Sequence, residues 1–205
     1  MEFFGALEPD VVLSSSMGVT FTAAPRSNAK GDAARDVGAD PTFDLQRMTA
    51  LVAFTARSLG TASPRPFGAS IVHTNSGKLL LRALNAVKQE FDPSSHAEVR
   101  AIRKATKRLK ILSLAGYTLY TTCEPCPMCM GAALWAGLDR VAYGATIEDA
   151  NRHCNQIRIS ATEVAGRSDM ICAVDGPILR EECYALFTHP QMLRAFRLWS
   201  TRKGS

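Results

Sequence analysis

Two short segments with metal-binding side chains limit the folds open to this chain more than any other feature. The first contains His96 and Glu98, and the second contains Cys126 and Cys129. One imidazole and two thiolates are three of the four ligands of a tetrahedral zinc site, and a fourth position left to water is typical of catalytic sites. The fold must therefore bring two segments that are well separated in sequence to one point.

Both segments are predicted to begin helices. Ser94 or Ser95 is a suitable N-cap, which would place His96 and Glu98 in the first turn of a helix. Pro125 precedes the second helix, whose two cysteines are three residues apart. Side chains at that spacing lie on the same side of a helix, so both sulfurs can reach one ion.

The spacing also predicts different roles for the three metal ligands and for Glu98. Zinc lowers the pKa of bound water and so provides hydroxide at neutral pH. Glu98 would take the proton from this water, deliver it to a ring nitrogen, and then help an amino group leave as ammonia. Two other interpretations stay open. Cys126 and Cys129 could be half of a structural four-cysteine zinc site completed by Cys123 and another cysteine, and Glu98 could merely stabilise the positive end of its helix.

Composition favours one soluble domain with extensions. The chain has 205 residues and a net charge of +5, and no apolar run approaches membrane-spanning length. The first residues lack a basic segment typical of a targeting peptide, and three of the six cysteines fall in one metal-type run, so we expect a cytoplasmic protein. The basic residues between Arg100 and Lys110 could contact phosphates, or simply form a solvated helix face.

The order of predicted elements indicates a layered α/β fold with helices on both faces of a sheet. Residues 1–42 read as a flexible extension with at most a short strand near Val11–Leu13, and residues 43–205 as the catalytic domain. Predicted helices run from about 45 to 59, from 96 to 109, after Pro125, from 178 to 187 and from 191 to 199; predicted strands cover 67–73, 79–87, 117–121, 140–144 and 170–174.

These segments resemble the cytidine-deaminase-like superfamily, which includes cytosine, guanine and tRNA adenosine deaminases. The resemblance is tightest over 96–104 and 123–132, and Pro66–Ala69 adds to it. It implies a three-layer α/β/α sandwich with a five-stranded mixed sheet, a bound Zn²⁺ ion, and a homodimer with Trp135 near the partner. It also implies five substrate-binding residues: Phe67, Asn85, Ala97, Pro125 and Trp135.

Individual members of that set have less specific interpretations. Asn85, placed on the second strand, could be an ordinary strand or turn residue, while Phe67 and Trp135 could as well pack in the core as line a pocket. Glu124 is expected to support the metal loop through backbone hydrogen bonds.

Sequence details disagree about the substrate. Pro127 and Trp135 are similar to bacterial guanine deaminases, but residues 151–156 replace the Phe-Asp-Asp segment of those enzymes, and the tail around Cys183 is similar to tRNA adenosine deaminases. If a purine edge must be read by another group, Glu181 and Glu182 are the nearest candidates along the chain. We expect hydrolytic deamination of a small nucleobase or nucleoside, most of all a purine such as guanine. The alternatives are a tRNA adenosine deaminase acting on RNA, a cytosine or cytidine deaminase, and a non-catalytic zinc-stabilised nucleic-acid-binding module.

Overall fold

The computed structural model describes the backbone of residues 41–201 and the side chains of residues 41–198. The predicted flexibility of residues 1–40 and the short strand near Val11–Leu13 lie outside the described residues. Pro41 and Thr42, assigned to the extension from the sequence, instead begin the first helix. Proline suits this position because a first-turn N–H has no partner within the helix.

A single mixed sheet organises the described part of the chain. Its strands are β1 Gly68–His73, β2 Leu79–Leu84, β3 Tyr117–Cys123, β4 Arg140–Ala145 and β5 Ala173–Asp175, in the order β2-β1-β3-β4-β5. Strand β1 is antiparallel to both of its neighbours, β2 and β3, whereas β3, β4 and β5 are mutually parallel. The predicted five-stranded mixed sheet is confirmed. The last strand begins three residues later than predicted, because Ala173 rather than Met170 pairs with Arg140.

Eight helices surround the sheet in the described residues. They are α1 Pro41–Ala56, α2 Val87–Glu90, α3 Ala97–Leu109, α4 Pro127–Trp135, α5 Ile147–Asn151, α6 Ala161–Gly166, α7 Arg180–Thr188 and α8 Pro190–Thr201. The short helices α2, α5 and α6 were not predicted, since segments of four to six residues carry too little periodic pattern to be recognised. None of the described helices combines the length and apolar character needed to cross a bilayer.

The sheet separates two apolar cores, as a three-layer sandwich requires. On β1, Ile71 packs into a core with α3, α4 and α6, whereas the next residue, Val72, packs into a core with α1, α7 and α8. Leu119 and Tyr120 on β3 divide in the same way. Neighbouring side chains of a strand point to opposite faces, so a strand covered on both sides is buried at nearly every position, as β1 and β3 are.

A buried polar network attaches α1 to the sheet. Both oxygens of Asp44 accept hydrogen bonds from Arg140, at 2.8 and 2.7 Å, and Tyr120 donates its hydroxyl to the same carboxylate at 2.6 Å. Arg140 also donates to Asp175 on the neighbouring β5. One guanidinium thereby connects α1, β4 and β5, and its charge is neutralised inside the protein.

Candidate active site

Two helix N-termini hold the three candidate metal ligands. His96 is the N-cap of α3 and Cys126 is the N-cap of α4, with Cys129 in the first turn of α4. The predicted N-cap, Ser94 or Ser95, is wrong. Ser95 instead donates its hydroxyl to acidic side chains of the preceding loop, so α3 starts one residue later with the histidine ring free to face the cysteines.

The spacing of these ligand atoms fits a zinc ion. Sγ of Cys126 lies 3.6 Å from Sγ of Cys129, and Nδ1 of His96 lies 3.7 and 3.5 Å from the two sulfurs. Tetrahedral coordination at ordinary zinc bond lengths separates two sulfurs by about 3.8 Å and a sulfur from a nitrogen by about 3.6 Å. The donor set and its geometry therefore fit zinc, with these three residues as its protein ligands.

The electrostatics of the cysteine pair support the same conclusion. Contacts with Cys129 and His96 lower the pKa of the Cys126 thiol to about 4, although burial opposes this change. The same contact, together with burial, raises the pKa of the Cys129 thiol. Protein groups thus stabilise one thiolate, helped by the positive ends of α3 and α4. A bound divalent cation is the group that would stabilise the second.

Glu98 lies beside the ligands and is buried. Its Oε2 is 3.6 Å from Sγ of Cys129, and its Oε1 accepts a hydrogen bond from the hydroxyl of Thr121 at 2.9 Å. Burial raises the pKa of Glu98, while the positive charge of His96 opposes the increase. A carboxylate whose pKa is raised, and whose one oxygen is oriented by a hydroxyl, can both accept and return a proton.

Glu124 supports the loop between β3 and α4. It is buried, and its two carboxylate oxygens accept the backbone N–H groups of Ile147 and Ala161 at 3.1 and 2.9 Å. Ile147 and Ala161 are the first residues of α5 and α6, and the N–H groups at the start of a helix have no acceptor within that helix. The predicted supporting role through backbone hydrogen bonds is confirmed. Cys123, the neighbouring thiol, is buried, and burial raises its pKa well above the ordinary value.

A cavity of about 530 Å³ opens above the ligands, and Glu98, His96 and Cys126 lie in its wall. Two of the five predicted substrate-binding residues, Phe67 and Asn85, also line it. Ala97 and Pro125 are buried next to the ligands and do not line the cavity. Their position indicates that they pack behind the ligands.

Asn85 and Phe67 adjoin each other at the cavity wall. Asn85 follows the end of β2 instead of lying on it, and its backbone N–H donates to the carbonyl of Phe67 at 3.0 Å. Its Oδ1 accepts a hydrogen bond at 3.1 Å from the N–H of Val87, the first residue of α2. This hydrogen bond fixes the direction of the Asn85 side chain. Phe67 packs against Phe187, with 5.2 Å between ring centroids, while it also faces the cavity. The two interpretations of Phe67, core and pocket, are therefore both correct.

Trp135 does not reach this cavity. It is the last residue of α4, its side chain is 81% exposed, and it is absent from the cavity wall. Trp135 therefore does not line the cavity of its own chain, because α4 buries the face that carries Cys129, Met130 and Ala133 and turns Trp135 outward.

The segment after α5 supplies cavity residues that the sequence left unassigned. Cys154, Asn155, Gln156 and Ile157 all line the cavity. Their position in the chain is the signal that could have identified them as cavity residues, because the Phe-Asp-Asp segment of guanine deaminases occurs at the same point. The alternative candidates, Glu181 and Glu182, are exposed and do not line the cavity. Amide side chains, which both donate and accept hydrogen bonds, thus line the cavity, whereas these two carboxylates do not.

Comparison with known families gives a match over the catalytic segments. Residues 41–145, just over half of the chain, match the family described as the cytidine and deoxycytidylate deaminase zinc-binding region. This range includes all three ligands and Glu98.

Individual relatives carry more than one specificity. Guanine deaminase of Bacillus subtilis is 49% identical over 85 residues, which are 42% of this chain and 53% of that protein. The tRNA-specific adenosine deaminase of the same species is 35% identical over 118 residues, 58% of this chain and 70% of the relative. The chain thus spans only about half the length of the guanine deaminase.

Among solved structures, guanine deaminase from Nitrosomonas europaea superposes with a TM-score of 0.64 at 23% identity. The superposition covers 75% of this chain and 84% of the other. At this level of identity the likeness confirms the fold.

Proposed function

Because this chain belongs to the cytidine and deoxycytidylate deaminase family, we propose that it catalyses the zinc-dependent hydrolytic deamination of a purine, with guanine as the leading candidate. Water replaces the exocyclic amino group of the base, which leaves as ammonia, and the ring carbon retains the oxygen. The observation that carries the proposal is the position of Glu98, beside the three candidate zinc ligands and in the wall of a cavity large enough for a base.

Zinc held by His96, Cys126 and Cys129 would supply Lewis-acid activation of water. The chain's own residues would then manage the protons. Glu98 accepts a proton from the water, delivers it to a ring nitrogen of the base, and later protonates the departing amine. Thr121 holds Oε1 of Glu98, so the carboxylate keeps its direction as its protonation changes.

Three amide side chains are suited to hold the edges of a purine. Asn85 commits its Oδ1 to the backbone of Val87, so its NH₂ group is the part available for an acceptor on the base. Asn155 and Gln156 line the cavity from a separate segment, the loop after α5. Guanine presents both donors and acceptors, and amides can match both. The 49% identity with guanine deaminase over the matched segment supports the same choice.

Deamination of adenosine in RNA is the second candidate. The match to tRNA-specific adenosine deaminase extends over a longer part of this chain than the match to guanine deaminase. An enzyme of this kind must accept a base that is flipped out of a strand, so its cavity has to remain open toward flanking phosphates.

We further propose that the protein is a cytoplasmic homodimer. The exposed Trp135, with the exposed Met128 about two turns earlier on the same face of α4, offers an apolar surface of the kind that a partner would cover. All six cysteines lie in the described part of the chain, and none forms a disulfide there, which is consistent with a reducing compartment.

Ammonia release is the test of the proposed function. Purified zinc-loaded protein should be incubated with guanine, guanosine, adenine, cytosine, cytidine and a tRNA anticodon stem-loop that contains adenosine. We expect release from a purine substrate and none from the pyrimidines. Turnover of the stem-loop alone would favour the second candidate, and turnover of cytosine or cytidine alone would contradict a purine specificity.

A further inference from the structure

A second cavity, of about 330 Å³, adjoins the catalytic one. We call it the basic groove and define it by Arg65, Lys88 and Arg194, which lie in its wall. Phe67, Asn85 and Lys88 line both cavities, so the two are continuous at the mouth of the catalytic cavity. A molecule with its reacting part beside Glu98 therefore has direct access to the groove.

The charge of the basic groove is entirely positive. Three cationic side chains line it, and the described residues of its wall include no Asp or Glu. The neutral polar members, such as Gln89, Gln191 and Ser63, can all donate hydrogen bonds. Many donors, several of them charged, around a small concave space form a site that suits a tetrahedral anion.

The backbone of the groove is held in place before any ligand binds. The hydroxyl of Ser58 donates to the carbonyl of Arg65 at 2.7 Å and accepts the N–H of the same residue at 3.1 Å. The hydroxyl of Thr122 donates to the carbonyl of Pro66 at 3.1 Å and accepts the N–H of Gly68 at 3.0 Å. Two buried hydroxyls thus fix both sides of the segment that presents Arg65 and Phe67.

Arg65 also has an unused donor. Its Nε is buried, and no hydrogen-bond partner for it occurs in the described structure. A buried donor without a partner is costly, so the guanidinium of Arg65 has too few acceptors around it, and an anion in the groove would supply acceptors to its remaining N–H groups. Arg194 belongs to a different element, α8, and Lys88 to α2, so the three cations come from three separate segments of the chain.

We propose that the basic groove binds a phosphate group of the substrate, so that the purine reaches the active site as a nucleotide. The base would lie in the catalytic cavity and the phosphate among Arg65, Lys88 and Arg194. This inference rests on the proposed purine deaminase activity, and it changes the expected substrate from a free base such as guanine to a purine nucleotide. A 5′-mononucleotide and a nucleotide within an RNA strand both present this chemistry.

Binding should be measured by calorimetry on the full chain carrying Glu98→Gln, which prevents turnover during the titration. The probes are guanosine, guanosine 5′-monophosphate, adenosine, adenosine 5′-monophosphate and the anticodon stem-loop. We expect one monophosphate to bind about tenfold or more tightly than its nucleoside, because charged donors contribute more than neutral ones. The gain should decrease as salt is raised.

Removing the groove charges should remove the gain. Arg65→Gln with Arg194→Gln is expected to lower the ratio of nucleotide to nucleoside affinity about tenfold. Arg194→Gln alone, at an exposed position on α8, should lower it in part and provides a variant whose folding is not at risk. Lys107→Gln removes one positive charge from an exposed position of α3 outside the groove and serves as the matched control.

The outcomes separate this inference from the proposed function. Deamination of guanine or guanosine without any gain from the phosphate, or a gain that survives in the double variant, overturns the inference and leaves the function intact. If the tighter binding of the monophosphate depends on Arg65 and Arg194 but no substrate releases ammonia, the result supports phosphate binding in the basic groove and contradicts the proposed deaminase activity. If only the binding of the stem-loop depends on these arginines, the groove binds a phosphate of an RNA strand. If the binding of a mononucleotide depends on them, the groove binds the phosphate of a free nucleotide.

Discussion

At the residue scale, the proposed chemistry keeps metal binding and proton transfer on different side chains. Glu98 is two residues from His96 in the chain, yet its carboxylate hydrogen-bonds Thr121 and only approaches Cys129. Burial raises its pKa, so it holds a proton more readily than an exposed glutamate. In the proposed mechanism one imidazole and two sulfurs hold the zinc, which leaves Glu98 to exchange protons with the substrate.

Replacing Glu98 by glutamine should separate the two roles. We expect Glu98→Gln to retain zinc and fold while kcat falls about 100- to 10,000-fold, because the amide cannot carry the proton. The measurements are kcat on the preferred substrate and zinc content of the purified variant. Glu163→Gln, on the exposed face of α6, is the control for loss of one carboxylate. Loss of zinc from Glu98→Gln would mean that this residue is a ligand.

The ligand set makes a second prediction at the same scale. The wild-type protein should carry about one zinc per chain, and Cys126→Ser or Cys129→Ser should lose both metal and activity, since serine is a poor zinc ligand. Metal analysis by mass spectrometry and an activity assay provide the measurement. Cys172→Ser, at a cysteine remote from the ligand cluster, should keep its zinc. Full activity in rigorously metal-free protein would contradict the assignment.

At the element scale, the ion pair of Asp44 and Arg140 attaches α1 to the parallel half of the sheet. Burial alone would raise the pKa of Asp44, but hydrogen bonds from Arg140 and Tyr120 hold it below its ordinary value. A buried charge that loses its partner is strongly destabilising, whereas an exposed pair contributes little. Helix α1 should therefore depend on this contact more than on any surface charge.

Asp44→Asn should test this dependence on pH. At pH 7 we expect a loss of about 3 kcal/mol in the free energy of unfolding, at the low end for a buried pair because Arg140 keeps Asp175. Because the folded pKa of Asp44 is lowered, its stabilising effect is present at neutral pH. The effect disappears as pH falls from the unfolded value of 3.8 through the folded pKa, and the variant and wild type should converge there.

Urea unfolding at a series of pH values measures both quantities. Arg167→Gln, which removes an exposed ion pair with Glu163 on α6, is the control and should cost about 1 kcal/mol or less. An equal effect of the two substitutions, or a gap between wild type and Asp44→Asn that widens in acid, would show that the buried pair does not stabilise α1.

At the scale of the whole molecule, the proposed dimer depends on Trp135. We expect light scattering to give a dimer for the wild-type protein and a shift toward monomer for Trp135→Lys, because a charge would replace the apolar side chain at the interface. Leu112→Lys is the matched control, since Leu112 is also an exposed apolar residue but follows α3. A monomeric wild-type protein, or a dimer unaffected by Trp135→Lys, would contradict the proposal.

The residues that the sequence identified best belong to short, local patterns. His96, Glu98, Cys126 and Cys129 are separated by one or two residues within their own segments, and a helix N-terminus converts that spacing directly into geometry. The strands were likewise evident, because strands covered on both faces are rich in apolar and β-branched residues. Local spacing and burial patterns therefore determined the fold class and the ligand cluster.

Only the tertiary structure decided which other residues surround the cavity. Asn155 and Gln156 reach it from the loop after α5, and Arg65 and Arg194 meet beside it although they are far apart in the chain. Trp135, close to the ligands in sequence, faces outward. The physical reason is that these positions follow from how helices pack on the sheet, which depends on side-chain contacts between distant segments and leaves no periodic signal in any one of them.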